Sequence, residues 1–241
     1  MAIINLIQIL PDERITATLP IRDLRNAPGY LVMGTVQGEV KRVRIAEFAN
    51  LRANGLITFD MNEGDRLGWV KHTDGEQSIV LTTIQGLAIR FNENDLRASG
   101  RASGGVRGIT LAGPDDRVVT MDTAGDDDDL LVVGQNGLGK RTPMSAYKVQ
   151  GRGGKGLKTM DITAKTGPLI AACVVPREGQ ENLRLMIVTE NGTGIRVRVS
   201  DIKTTQSRST QGVKLIELRE GDRVKTVEYF DLSKKVDEDG E

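Results

Sequence analysis

Short apolar runs and glycine-bearing polar turns alternate along most of the chain. Leu31-Val32-Met33, Ile79-Val80-Leu81, Leu131-Val132-Val133 and Met186-Ile187-Val188 read as strands. Each leads into a turn, Gln37-Gly38, Gln85-Gly86, Asn136-Gly137 or Asn191-Gly192. The Asn-Gly pairs predict two-residue type I′ hairpins, in which both central residues take positive φ, and Gln-Gly is a weaker form of the same signal. After the last turn, Ile195-Arg196-Val197-Arg198-Val199 alternates strictly, placing apolar residues on one face and arginines on the other. No stretch sustains a helical period.

These hairpins recur at nearly fixed intervals. Gly38, Gly86, Gly137 and Gly192 lie 48, 51 and 55 residues apart. Four positions after each glycine stands an arginine (Arg42, Arg90, Arg141, Arg196), and ten positions after it a large apolar residue (Phe48, Leu96, Tyr147, Ile202). Gly55, Gly108, Gly156 and Gly212 open a further apolar strand. A polar turn such as Glu63-Gly64-Asp65 or Glu220-Gly221-Asp222 follows, then a return strand at 67–70, 118–121, 169–172 or 224–227. Two hairpins in a repeat of roughly 50 residues make a four-stranded sheet, the unit of a β-propeller, since lone sheets must stack to bury their faces. The predicted fold is all-β and propeller-like, with about four to five blades in one domain over 1–235. Residues 1–22 form the tail of a preceding repeat, the repeats run roughly 23–73, 74–125, 126–178 and 179–231, and 236–241 form an acidic tail.

Charge refines the picture. The chain of 241 residues balances 33 basic against 33 acidic residues, for a formal net charge of +0. The signs are segregated, however. Acids cluster at Asp126 to Asp129 and in Asp237-Glu238-Asp239-Gly240-Glu241, while the basic residues are spread at intervals. Phosphates respond to a local basic stripe rather than to the sum. Lys41, Arg42, Arg44, Arg90, Lys140, Arg141, Arg196 and Arg198 fall on the strands after the hairpins. Arg97, Arg101, Arg107, Arg208 and Lys214 fall on the long loops beyond them. Such a distribution suits repeated clamps on the backbone of a curved duplex. A structural alternative pairs the arginine column with acids of the next blade, for which Glu47, Asp95 and Asp201 are the candidates.

Other chemistries find little support. Aromatic residues are 3% of the chain, and Trp69 lies in a predicted core strand, so stacking platforms for single strands are missing. One cysteine and one histidine assemble neither a disulfide nor a zinc site. His72 reads as a surface residue in a polar turn, Cys173 as a small buried hydrophobe, and Asp126 to Asp129 as a solvated turn. No apolar run approaches the ~18–20 residues of a membrane span, so a cytoplasmic protein with no membrane contact is expected. Neither a catalytic centre nor a metal is expected.

Several segments resemble the C-terminal domain of the A subunits of bacterial DNA gyrases. They are Asp12-Glu13-Arg14-Ile15-Thr16-Ala17, Gly104-Gly105-Val106-Arg107-Gly108-Ile109, Gln135-Asn136-Gly137-Leu138-Gly139-Lys140-Arg141-Thr142 and Thr210-Gln211-Gly212-Val213-Lys214. The resemblance implies a β-pinwheel whose blades exchange strands, and a rim that wraps double-stranded DNA in support of ATP-dependent negative supercoiling. Its implied partners are the gyrase B subunit, together with the rest of the gyrase A subunit. ATP and Mg would be used elsewhere in the holoenzyme. The resemblance also implies a monomeric, nucleoid-associated fragment without a cofactor of its own. The family's basic, glycine-rich box is matched by Gln150-Gly151-Arg152-Gly153-Gly154-Lys155-Gly156, with Gly151 in place of a basic residue and in the third complete repeat rather than the first blade. Tyr30, Tyr147 and Tyr229 lack the neighbouring arginine of the strand-cleaving tyrosine in this enzyme class. The related C-terminal domain of topoisomerase IV and a protein-interaction propeller stand as alternatives.

Overall fold

The computed structural model describes residues 13–21, 23–50 and 55–233. Of the preceding repeat expected at 1–22, residues 1–12 and 22 lie outside them, and 13–21 carry no strand, so no return strand forms there. The acidic tail expected at 236–241 also lies outside them. Among the described residues, fifteen strands form four antiparallel sheets. Blade 1 comprises β1 (Tyr30–Thr35), β2 (Glu39–Arg44), β3 (Leu67–Thr73) and β6 (Val106–Arg107), in the order β3-β1-β2-β6. Blade 2 joins β4 (Ser78–Thr83), β5 (Leu87–Asn92), β7 (Val118–Ala124) and β10 (Leu157–Lys158), in the order β10-β5-β4-β7. Blade 3 joins β8 (Asp128–Gly134), β9 (Leu138–Pro143), β11 (Leu169–Pro176) and β14 (Val213–Lys214), in the order β11-β8-β9-β14. Blade 4 has three strands among the described residues, β12 (Leu183–Thr189), β13 (Gly194–Arg198) and β15 (Val224–Asp231), in the order β13-β12-β15.

The hairpins form where the pattern puts them, with a different turn. The N–H groups of Gly38, Gly86, Gly137 and Gly192 donate to Thr35 O, Thr83 O, Gly134 O and Thr189 O at 3.0–3.1 Å. Those glycines have φ of 72–85°, and among the described residues no other residue type takes positive φ. Asn136 and Asn191 therefore do not make type I′ turns. Each loop is an ordinary turn closed by a left-handed glycine, the three-residue hairpin with a glycine bulge. Only the glycine is special in such a loop, which is why Gln-Gly and Asn-Gly serve alike. An acid from the polar turn of the same repeat secures it: Asp65, Asp116 and Asp222 accept from the backbone N–H of Gln37, Gln85 and Asn191 at 3.0–3.2 Å.

The second hairpin of each repeat does not close on itself. β6, β10 and β14 are the segments expected to pair with the return strands β7, β11 and β15, and each crosses instead to the preceding blade. There Arg107 lies opposite Glu39, Lys158 opposite Leu87 and Lys214 opposite Leu138. The blades thus exchange strands, as the gyrase resemblance implied. Gly105, Gly156 and Gly212 precede the exchanged strands. Gly108 follows β6 and donates to Gly38 O at 2.8 Å, so it does not belong to the column in which spacing placed it. The crossing covers the outer edge of the accepting sheet, a row of backbone groups that would otherwise be unpaired.

The core lies between blades. Val32 and Val40 of blade 1 pack with Ile79, Leu81 and Phe91 of blade 2. Val80 and Ala88 meet Leu130 and Val132 of blade 3, and Leu131 and Val133 meet Leu185 and Ile187 of blade 4. β4 and β9 are buried along their whole length because a sheet covers each face. The anchors Phe48, Leu96, Tyr147 and Ile202 are all buried. β3 packs on β7, β7 on β11 and β11 on β15, which makes these the inner strands. They line a central cavity of 270 Å³ bordered by Trp69, Lys71, Asp122, Cys173 and Tyr229. Trp69 is half-buried there rather than fully enclosed in a core. The exchanged strands, at the opposite edge of blades 1 to 3, form the outer rim, with β13 at that edge of blade 4.

Candidate nucleic-acid interface

The strand cations divide by burial. Arg42, Arg90 and Arg141 are 7%, 5% and 7% exposed, and each reaches the single 3-10 turn that follows the hairpin of the next blade. Arg42 donates to Asn94 Oδ1 at 2.8 Å, lies 3.6 Å from Glu93 and stacks 4.4 Å from the Tyr30 ring centre. Arg90 donates to Met144 O at 3.3 Å and to Asp126 at 2.5 Å. Arg141 donates to Ile202 O at 2.8 Å, to Asp129 at 3.4 Å and to Gln180. Burial holds the Arg141 guanidinium below its ordinary pKa, against the pull of Asp129. These three are blade-to-blade clamps, facing protein rather than solvent. Their carboxylate partners are Glu93, Asp126 and Asp129, not Glu47, Asp95 and Asp201; Asp201 pairs instead with Arg198 at 2.8 Å. The Asp126 to Asp129 run is accordingly no plain solvated turn, since Asp129 is 1% exposed and is also paired with Arg177.

Lys41 and Lys140 are likewise buried, at 2% and 1% exposure, and their ammonium groups tie down carbonyls of the neighbouring connector. Arg44 is exposed beside the Tyr30 ring, and Arg196 and Arg198 are exposed on the outer strand of blade 4. The alternation read for β13 holds: Ile195 and Val197 pack on the core shared with blade 3 while the arginines face out.

Three connectors, residues 97–105, 148–156 and 203–212, run from the buried anchors to the exchanged strands, and connectors and exchanged strands together carry basic residues in three columns. Arg97, Lys148 and Lys203 directly follow the anchors and are exposed. Arg101, Arg152 and Arg208 stand five positions ahead of the exchanged strands. Their guanidinium groups donate to Ile57 O, Arg107 O and Lys158 O at 3.4, 3.2 and 3.5 Å, the same relation repeated around the rim. Arg107, Lys158 and Lys214 are the second residues of the exchanged strands, all exposed. Lys158 and Lys214 make exposed pairs with Asp161 and Glu217 at 3.1 and 3.0 Å. Exposed pairs of this kind are worth roughly 0–1 kcal/mol and yield readily to a competing phosphate. Sequence spacing pointed to Arg97, Arg101, Arg107, Arg208 and Lys214 but missed Lys148, Lys158 and Lys203. Their offsets from Gly137 and Gly192 were the available signal.

The box-like loop is built into this scheme. Gln150 N–H donates to Arg90 O at 2.8 Å, Gly153 N–H to Gly108 O at 2.7 Å, and Gly154 O accepts from Thr110 N–H at 2.9 Å. Gly156, at φ 75°, leaves no room for a Cβ, which would lie 2.6 Å from Ala88 O. These contacts position β10, so glycine is required at 156 by strand exchange before any ligand is considered. Gly151 is open, and Arg152 and Lys155 are exposed on the outer side.

Elsewhere, His72 lies on β3 rather than in a turn, with Nε2 3.0 Å from Pro28 O. Burial, then Asp122 and Glu228, push the Cys173 thiol far above its ordinary pKa, which makes it a poor nucleophile. Among the described residues, no group of three His, Cys, Asp or Glu could hold a metal, and no helix is long and apolar enough to cross a membrane.

The family model described as "DNA gyrase C-terminal domain, beta-propeller" matches residues 29–70, 77–124, 128–174 and 184–230. The DNA gyrase A subunit of Staphylococcus epidermidis is 41% identical over 227 residues, which cover 93% of this chain and 25% of the relative. The Staphylococcus aureus protein of the same name is 40% identical over 241 residues, covering 99% of this chain and 26% of the relative. The chain thus spans about a quarter of the length of these relatives. Among solved structures, the C-terminal domain of DNA topoisomerase IV superposes with a TM-score of 0.87 at 24% identity, covering 97% of this chain and 71% of that one. The DNA gyrase A C-terminal domain gives 0.80 at 24% identity, covering 95% and 75%. At that identity the superpositions speak to the fold alone.

Proposed function

Because the chain belongs to the DNA gyrase C-terminal domain family of β-propellers, we propose that it binds duplex DNA along its outer rim and bends it around the blades. One observation carries this reading: three columns of cations recur on three successive connectors and the exchanged strands they lead into, at the sheet edge opposite the inner strands. Arg196 and Arg198 extend the charge onto the outer strand of blade 4. Phosphates positioned at regular intervals along a curved surface need such a periodic set of donors and no base contacts. In the parent protein this wrapping would deliver a duplex segment to the strand-passing part of a type IIA topoisomerase. ATP hydrolysis and strand cleavage would belong to other regions and to the gyrase B subunit. A cytoplasmic, nucleoid-associated setting follows from that role.

Salt dependence of binding tests it. If about six phosphates are engaged, log K should fall against log salt with a slope of roughly −5, whatever the duplex sequence. A slope near zero, or strong preference for one short sequence, would exclude the rim reading and favour a protein-interaction propeller. Plasmid topology after ligation separates gyrase-type wrapping from the simple binding expected of a topoisomerase IV domain.

A further inference from the structure

Lys41 and Lys140 occupy the same position in blades 1 and 3, and their surroundings differ. The Lys41 ammonium donates to Thr58 O, Arg101 O and Ser103 O at 3.1, 2.6 and 2.6 Å, which accounts for all three of its protons. Burial lowers its pKa, and Asp60 partly offsets that by favouring the charged form. Lys140 donates to Ser207 O and Arg208 O at 2.8 and 2.5 Å, and its third proton has no protein acceptor among the described residues. Its charged neighbours are Arg208, beside the ammonium, and Lys203; both are cations. A recess of 180 Å³ opens here, lined by Lys140, Lys203, Thr205, Thr210 and Gln211 among others, and among the described residues no carboxylate is in its wall. That volume is several times the ~30 Å³ share of a water molecule in the liquid. A buried cation without a counter-charge, with hydroxyl and amide groups around it, is costly unless an anion completes it.

We propose that this recess, at the junction of blades 3 and 4, seats one phosphate group of the duplex, with the Lys140 ammonium at its floor and Lys203 at its wall. The assignment rests on the duplex-binding reading and adds a fixed point to it: a single phosphate held in a preformed pocket among surface contacts that are otherwise open. Burial and the charge of Arg208 bring the Lys140 pKa to about 8. A phosphate here stabilises the ammonium, so binding takes up a proton and weakens as pH rises through that value.

Side-chain NMR of ¹⁵N-labelled lysine in the whole chain tests the assignment, with inorganic phosphate and a blunt duplex as separate probes. Phosphate should shift the Lys140 and Lys203 signals saturably, and the duplex should produce the Lys140 shift in place of phosphate. Lys203→Ala, an exposed substitution, should lower the salt slope of duplex binding by about 1. A Lys140 signal unmoved by a duplex that demonstrably binds overturns the seat and leaves rim binding intact. A signal moved by phosphate but never by duplex also overturns it, in favour of a free-anion site. Failure of the unaltered chain to bind duplex at low salt overturns the underlying reading instead.

Discussion

Blades 1 to 3 and blade 4 are built from the same repeat, yet the same column meets opposite fates in them. Arg42, Arg90 and Arg141 are buried against the following blade, whereas Arg196 is exposed on β13. β4 and β9, in the middle sheets, are buried without interruption, while β13 alternates between exposed and half-buried residues. Local sequence does not cause the difference, because the hairpin and its arginine are alike in all four. What decides is whether another sheet lies against that face. The most conspicuous basic column is therefore a set of inter-blade clamps, and the cations left for a ligand lie mainly on the connectors.

Removing the same arginine from two blades should have opposite consequences. Arg141→Ala leaves Asp129, 1% exposed, with only its outer partner Arg177, and strips a donor from Ile202 O. It should cost about 3 kcal/mol in urea denaturation. Arg196→Ala should change stability by less than about 0.5 kcal/mol and instead lower duplex affinity. Equal stability losses would mean that burial does not separate the two.

Glycines give the next largest contrast. At Gly212, φ 80°, a Cβ would lie 2.4 Å from Gly139 O in the accepting strand, so Gly212→Ala should displace β14 and cost about 2–3 kcal/mol. Gly192 has φ 82° with nothing within 4 Å of a Cβ, so Gly192→Ala should cost only the backbone penalty, about 1 kcal/mol. Thermal midpoints of the two variants check this.

Smaller still is the effect of pH. The folded Lys140 pKa, about 8, lies below the ordinary lysine value of 10.5. Between those values the unfolded chain holds the extra proton, so the stability contribution of this group rises with pH over that window and is flat below it. Phosphate binding should run the other way, falling above pH 8, and Lys140→Arg should remove that fall. Denaturation and phosphate titrations at pH 7 and pH 9 measure both signs.

Much of the architecture was legible because propeller packing repeats. Hairpin glycines, clamp arginines and buried anchors all keep fixed offsets, which hold because in blades 1 to 3 each meets the same neighbour on the next blade, and Arg196 keeps the offset without the neighbour. Strand exchange was not legible from spacing, since a two-residue strand such as Leu157–Lys158 pairs equally well with either adjacent sheet until three-dimensional closure selects one. The connector columns were only partly visible. An extra residue in the last connector moves Arg208 and Lys214 by one position relative to Gly192, and the first repeat has Ala49 and Ile57 where the others have cations. The burial of Lys41 and Lys140 was invisible because their partners, backbone carbonyls 17 to 68 positions away, leave no mark in sequence.

Linking number reads wrapping of the duplex itself. Nicked circular DNA is saturated with the chain, ligated, and compared with the same reaction using Lys148→Ala/Arg152→Ala/Lys158→Ala, which removes the three column cations of one connector and its exchanged strand and leaves the clamps Arg42, Arg90 and Arg141 in place. The unaltered chain should change the linking number, and at saturation the triple variant should lose most of that change while keeping its unfolding midpoint. A full change from the triple variant, or none from the unaltered chain, would contradict wrapping by the connectors.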